Sequence, residues 1–279
     1  MTSATQSAAP AIDMLQVKDL SIRFGGVMAV NKVSFDVKRG EVFTLIGPNG
    51  AGKTTVFNLI SRIYTPTAGS LTFAGHDLLK QPAHAIARLG IARTFQNIEL
   101  FEHASVLHNL LVGQHTQRAI QSLGGLWKEM FFTPSARAAE IAAREKVEHT
   151  IELLDLQHYR DTTVAGLPYG VRKVVELARA LCAEPKLLLL DEPSSGLNVE
   201  ETEDMAFWIQ DIQRELGITV LMVEHDMTLV SKVSDRVLAM SQGEVLAMGT
   251  PREVQTHPGV IEAYLGSVDD VSSLRRAAA

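Results

Sequence analysis

The sequence predicts an α/β fold, built on a mixed, mainly parallel core sheet and interrupted by a block of helices. Three observations carry that expectation. Short apolar runs with strand character, "EVFTLIG" (41–47), "KLLLLD" (186–191) and "ITVLMVEH" (218–225), alternate with stretches of helical periodicity. The first run feeds a glycine-rich loop that opens onto a helix. Between His103 and Ala165 the texture turns helical, with few strand signals.

The elements follow in order. Residues 1–13 read as a disordered tail, and Met1 to Pro10 lack the basic start and apolar segment of a secretory signal. From Leu15 to Val37, alternating runs such as "LSIRF" and "KVSFDV" predict strands of a partly exposed sheet. Val56 to Ile63 predict a helix, closed by Pro66 and Gly69, and "LTFAG" predicts another short strand. In the helical block Ala143, Val147, Ile151 and Leu154 recur at helical spacing, and Glu140 stands one turn before Arg144. Val174, Leu177, Ala178 and Leu181 mark one face of a later helix, and Phe207, Ile209 and Ile212 belong to the next. The implied organisation is a core of residues 14–97 and 166–265, a helical insert of 98–165, and a tail of 266–279.

Composition narrows the function. Apolar residues at 46% of 279 positions suffice for a sizeable core, and a net charge of -6 argues against general nucleic-acid binding. No run approaches the ~18 apolar residues of a membrane span. Cys182 stands alone, which excludes an internal disulfide and any multi-cysteine metal site. Its apolar helical surroundings predict a buried structural thiol.

The chemistry concentrates in a few stretches. Gly47-Pro48-Asn49-Gly50-Ala51-Gly52-Lys53-Thr54 matches the phosphate-binding pattern G-x-x-x-x-G-K-[ST]. Glycines let backbone N–H groups turn inward around phosphates, Lys53 reaches the β- and γ-phosphates, and the Thr54 hydroxyl suits Mg²⁺. The following helix aims its positive end at the same anion. Far downstream an apolar strand ends in Asp191-Glu192; the Asp suits metal support and the Glu suits polarising an attacking water. His225 also ends an apolar strand, where open α/β sheets collect ligands. Gln96, in "RTFQN", could bridge metal, water and a moving subdomain, although alone it reads as an exposed loop amide. Phe24 offers a flat ring for an adenine, although alone it reads as a core residue.

Taken in order, Gly47 to Thr54, Gln96, Leu167 to Val171, Asp191-Glu192, Ser195 to Asn198 and His225 resemble an ABC transporter nucleotide-binding subunit. The likeness spans about Leu15 to Leu265. "RFGGVMAVNKVSF", "ARTFQNIELFEHASVLHNLLVG", "LPYG" and "GTPREVQTHPGVIEAYLG" are similar to the branched-chain amino acid importer branch. The resemblance implies a RecA-like ATP-binding core with an antiparallel N-terminal β part and a helical subdomain. It also implies a head-to-tail dimer of cassettes, alike or different, enclosing two ATP molecules. Two membrane permease subunits, an indirectly acting solute-binding protein and a place at the cytoplasmic face of the cell membrane complete the expectation. In that reading Phe24 stacks on adenine, and Lys53, Thr54 and Thr55 hold phosphates and Mg²⁺. Asp191 supports the metal, Glu192 is the catalytic base and His225 meets the γ-phosphate. Gln96 joins metal and water to the membrane subunit.

Two departures stand out. The family's Leu-Ser-Gly-Gly-Gln stretch is Leu167-Pro168-Tyr169-Gly170-Val171 here, and Asn198 stands where Asp is usual. Gly170 and the helix N-terminus keep backbone donors and dipole, so the resemblance implies a working variant that serves the ATP on the opposite subunit. The alternatives are a lipopolysaccharide-export ATPase, a soluble ABC ATPase acting on DNA or ribosomes, and a small-molecule kinase. "LPYG" and the segment "LGGLWKEMFFTPSARAAE" favour the importer over the exporter. One cassette without a basic stripe argues against the soluble ATPase, and a kinase has no need of Gln96 or Leu167 to Val171. Trp127, Met130 and Phe131, with Phe132 alongside, share one helical face. That face either packs inside the helical block or meets the membrane subunits or the lipid interface.

Overall fold

A long antiparallel hairpin opens the fold. β1 (Asp13–Phe24) and β2 (Val27–Lys38) pair along their length and turn at Gly25-Gly26. Alternation along β1 buries Leu15 and Val17, and a register shift before Leu20 restores the inward phase for Leu20 and Ile22. Asp19 absorbs the shift with a positive φ of 49°. The computed structural model of the chain describes residues 13–121 and 134–265. The expected terminal tails, apart from Asp13, and the Trp127–Phe132 face lie outside the described residues.

β3 (Val42–Ile46) leads into the glycine-rich loop and α1 (Lys53–Ile60). β4 (Ala68–Phe73) and β5 (His76–Asp77) extend the hairpin into a sheet ordered β2-β1-β4-β5. After α2 (Ile86–Leu89) comes β6 (Ile91–Arg93), then α3 (Val106–Gln121) and α4 (Pro134–Leu153) of the helical block. α5 (Tyr169–Leu181), β7 (Leu187–Asp191), α6 (Val199–Arg214), β8 (Thr219–Val223) and α7 (Met227–Val233) return to α/β alternation. β9 (Arg236–Ser241), β10 (Glu244–Gly249), α8 (Pro251–Gln255) and α9 (Pro258–Leu265) finish the described chain.

The second sheet is ordered β10-β9-β3-β8-β7-β6, parallel throughout except for β10 on β9. Its inner strands β3, β7 and β8 are buried along their whole length because both faces are covered there. Leu187, Leu189, Leu221 and Val223 face a cluster shared with β1, β2 and α1. Leu188, Leu190, Val220 and Met222 face the helices, among them Val147, Ile151 and Leu154 of α4 and Val174, Leu177, Ala178 and Leu181 of α5. Period-two alternation in the strands thus meets helical spacing in the helices. Phe207 belongs to α6 but points outward, 60% exposed, while Ile209 and Ile212 are buried.

Element boundaries differ from the sequence reading: the first helix ends at Ile60 rather than Ile63, and Gly69 lies within β4. α1 starts inside the motif, at Lys53, because Gly52 takes a left-handed φ of 100° and turns the chain into the helix. β8 ends at Val223, so Glu224 and His225 lie beyond it. The β9–β10 hairpin was not read at all, although "VLAM" recurs on both sides of Gln242-Gly243.

Candidate nucleotide site

Parallel pairing brings the carboxyl ends of β3, β6, β7 and β8 side by side, so the loops they feed share one edge of the sheet. Gly47 follows β3, Thr94 to Gln96 follow β6, Glu192 follows β7, and Glu224-His225 follow β8.

The glycines of the loop are demanded by close approach. A Cβ on Gly47 would meet the Met240 carbonyl at 2.2 Å, and one on Gly52 would meet the Ala29 carbonyl at 2.5 Å. Gly50, with φ 81°, meets no such obstacle and contributes its conformation alone. Pro48 and Asn49 carry the chain outward, and Ala51 returns it, its N–H bonded to the Pro48 carbonyl at 3.1 Å. The Gly243 N–H donates to the Ala51 carbonyl at 3.0 Å, so the β9–β10 turn backs the loop. No side chain caps α1, which leaves its first-turn N–H groups to the hollow of the loop. Thr54 is exposed and Thr55 half-buried at that turn.

Lys53 is buried and folds back across the loop, donating to the Gly47 carbonyl at 2.7 Å and the Pro48 carbonyl at 3.1 Å. Burial lowers its pKa, while the charges of Glu192 and Asp191 pull the other way. The lysine and the two strand-end carboxylates therefore share one electrostatic neighbourhood.

Asp191 is buried, and the Arg93 Nη2 holds its Oδ2 at 2.7 Å. Arg93 was not singled out in the sequence. It reaches from β6 across to β7, also donating to Asn58 and Ser61 of the chain around α1. Its guanidinium lies 5.5 Å from the Phe57 ring and 5.1 Å from the Phe95 ring. The available signal was an arginine three residues before Gln96 on a strand bordering the acidic one.

The Gln96 Nε2 donates to the Glu192 Oε2 at 3.0 Å, so these two predicted residues meet directly. Glu192 takes a left-handed φ of 51°. His225 is exposed, with Nδ1 3.7 Å from the Glu224 Oε2. Phe24 ends β1, 44% exposed, with its ring centroid 5.1 Å from that of Tyr64 in a T-shaped pair. The hairpin that carries it abuts the loop at Ala29 and Gly52.

The Leu167–Val171 stretch lies elsewhere. Pro168 is the N-cap of α5 and supplies no side-chain cap, so the first-turn amides at Gly170 and Val171 are not occupied by one. Gly170 and Val171 border a groove of about 290 Å³ with Glu201, Asp204, Phe207 and Trp208. No residue of the phosphate loop lines it. Tyr169 packs on Gly196 and lies beneath the Arg172 guanidinium at 5.9 Å. Asn198 caps α6: its Oδ1 accepts from the Glu201 N–H at 3.0 Å, and the Glu201 Oε2 accepts from the Asn198 N–H at 2.9 Å.

A model of ABC transporters matches residues 30–195. The chain belongs to the ABC transporter ATP-binding family. The cassette's C-terminal part, residues 244–270, matches a model of branched-chain amino acid ATP-binding cassette transporters. It is 43% identical over 253 residues to a Pseudomonas aeruginosa high-affinity branched-chain amino acid transport ATP-binding protein, covering 91% of this chain and 98% of that one. The Escherichia coli K12 counterpart is 41% identical over the same shares. A probable archaeal counterpart from Archaeoglobus fulgidus is 36% identical, covering 92% of this cassette and 96% of the relative. Among solved structures, an ATP-binding cassette in its ADP conformation aligns with a TM-score of 0.78 and 30% identity, over 91% of this chain and 99% of that one. A nucleotide-free cassette aligns with a TM-score of 0.77 at 27% identity, over the same shares.

Proposed function

We propose that this cassette hydrolyses ATP to drive an importer of branched-chain amino acids or related small organic solutes. The observation that carries the reading is the meeting of the phosphate loop, Asp191, Glu192 and Gln96 at one sheet edge, within a chain 43% identical to a branched-chain transport ATP-binding protein. The cassette works as a peripheral subunit at the cytoplasmic face of the cell membrane. It pairs there with a second ATP-binding subunit and two permease subunits, while a solute-binding protein acts at one remove. No helix among the described residues is long and apolar enough to cross a membrane, which suits a subunit that borrows its transport path from partners.

The residues supply the steps. Phosphate oxygens are stronger acceptors for an ammonium than peptide carbonyls, so Lys53 exchanges Gly47 and Pro48 for the β- and γ-phosphates. The uncapped start of α1 adds N–H donors and the positive end of its dipole. Thr54, Asp191 and Gln96 offer the hard oxygen donors that Mg²⁺ takes. Among the described residues no three acidic, histidine or cysteine side chains form a protein cage, which fits a cation held largely by substrate phosphates and water. When bound, Mg²⁺ offsets the charge that develops on those phosphates. Glu192, with Gln96 on one carboxylate oxygen, orients and polarises the attacking water. His225 reaches the γ-phosphate from the end of β8, and Phe24 gives the adenine a ring to stack on.

The separation of Gly170 from the phosphate loop supports the use of the α5 N-terminus by the ATP on the opposite subunit. A working variant needs backbone donors there, and neither Pro168 nor Tyr169 removes those of Gly170 and Val171. The decisive experiment is reconstitution with the permease subunits: ATP-driven uptake of leucine, isoleucine or valine that Lys53→Ala abolishes. Hydrolysis stimulated by none of these solutes, with the binding protein present, would place the cassette in another transport system.

A further inference from the structure

Behind the hydrolytic residues lies a buried polar cluster that no motif read from the sequence includes. Lys173 of α5 is 4% exposed, Glu176 2%, and Glu224, just beyond β8, is fully buried. Lys173 and Glu176 touch backbone of the site rather than its side chains, while Glu224 holds backbone N–H groups and also stands beside the His225 ring. The Lys173 Nζ donates to the Glu192 carbonyl at 3.2 Å. The Glu176 Oε1 accepts the N–H of Phe95, the residue before Gln96, at 3.1 Å. Glu224 accepts the Ser194 N–H at 2.9 Å through Oε1, and the His225 and Asp226 N–H groups at 2.7 and 3.1 Å through Oε2.

Glu192 is where this hold matters. Its φ of 51° is a left-handed conformation that an L side chain avoids, and such a residue persists only where its surroundings over-determine it. The surroundings do so through the main chain. The Glu192 N–H donates to the Val223 carbonyl at 3.0 Å, and the Glu192 carbonyl accepts both Lys173 and the Ser195 N–H, the latter at 3.1 Å. Gripping the backbone sets the Cα–Cβ direction and leaves the carboxylate for Gln96 and water. An ammonium is costly to bury without partners, and an apolar residue would otherwise continue the buried run of Val174 and Val175.

We propose that Lys173 is a positioning residue for hydrolysis, holding Glu192 in its left-handed conformation so that the carboxylate faces the attacking water. This rests on the reading of Glu192 as the base. Because Lys173 stands on α5, any shift of that helix reaches the hydrolytic carboxylate through a single hydrogen bond.

The test compares Lys173→Met, Lys173→Arg and Glu192→Gln in the purified cassette, measuring kcat and KM for ATP, equilibrium ATP binding and the melting temperature. Lys173→Met is expected to lower kcat at least ~10-fold, part of the ~10²–10⁴ that a general base supplies, with KM and ATP affinity within about twofold. Lys173→Arg, which keeps charge and donors, recovers most of the rate. Should Lys173→Met fail to fold, Lys173→Gln replaces it: the side chain stays polar but is one bond too short for the carbonyl, and the same loss in kcat is expected. A folded Met or Gln variant with a normal kcat overturns the proposal, whatever its melting temperature. Normal turnover by Glu192→Gln instead removes the base reading itself, independently of the lysine results.

Discussion

Glu192 and Gly170 are governed by different neighbours, and their substitutions separate accordingly. Glu192→Gln keeps the size of the side chain and its backbone hold, so ATP binding persists while turnover falls at least ~10²-fold, the low end of general-base help. Radiolabelled ATP binding beside phosphate release checks it. Gly170 is constrained within its own chain, because a Cβ there would stand 2.2 Å from the Glu201 Oε1. Glu201 is the far end of a flexible side chain and can withdraw, giving up its half of the Asn198 cap. Gly170→Ala is therefore expected to cost about 1 kcal/mol of stability, the scale of a lost helix cap. Adding Glu201→Ala should cost little more, as a denaturation double-mutant cycle would show. What was legible at this scale was local: the phosphate loop and Asp191-Glu192 are contiguous patterns with fixed chemistry. Arg93 and Lys173 were not, because each acquires its partners only when distant strands and helices pack together, and the same holds for the bond from Ser194 to Glu224.

Helix ends and one ion pair show how much of the local architecture depends on polar side chains. Asn198 replaces the family's usual Asp in the loop after Glu192, yet it performs a reciprocal cap on α6. In the helical block, the Arg160 Nε donates to both Glu148 oxygens at 3.0 Å. That hydrogen-bonded fork is the first cause holding the Glu148 pKa below its ordinary 4.5. A carboxyl with a depressed folded pKa stabilises the fold above its unfolded pKa and loses that contribution as pH falls through the folded value. Glu148→Gln is thus expected to lower the melting temperature at pH 7 and to make little difference well below pH 4. Thermal melts of both proteins across pH 3–7 would test the convergence. Helical spacing made the buried faces of α4 and α5 readable in advance, since their apolar residues face one continuous core. The β9–β10 hairpin escaped although β9 is a buried apolar run; β10, at the sheet edge, has no fully buried residue to mark it.

Taken whole, the described residues pack two sheets around α1 with α3 to α7 against the other face of the second sheet, and the single cysteine reports on that packing. Cys182 ends α5 against α3, 2% exposed, and burial pushes its thiol pKa up to about 12. At pH 8 a maleimide should leave the native cassette unmodified for hours and label it promptly in guanidinium, by intact mass. At the level of assembly, Glu192→Gln with ATP should elute as a dimer on gel filtration, while Lys53→Ala stays monomeric. A monomer under both conditions would argue against paired cassettes.

The turn at Gln242-Gly243 has a consequence for how such a chain can be recombined. Gly243 gives its N–H to Ala51 and its carbonyl to the Asn31 N–H at 2.8 Å, and a Cβ there would meet the Ala29 carbonyl at 2.8 Å. It is a joint in which the front hairpin, the phosphate loop and the branch-matching C-terminal part are pegged together. That part begins at residue 244, one position later. Grafting a different C-terminal module after Gly243 keeps the peg in place and should preserve ATP affinity. A cut made before Ser241 pulls it out, and the defect would surface at the opposite end of the sequence, as a phosphate loop that no longer holds its shape.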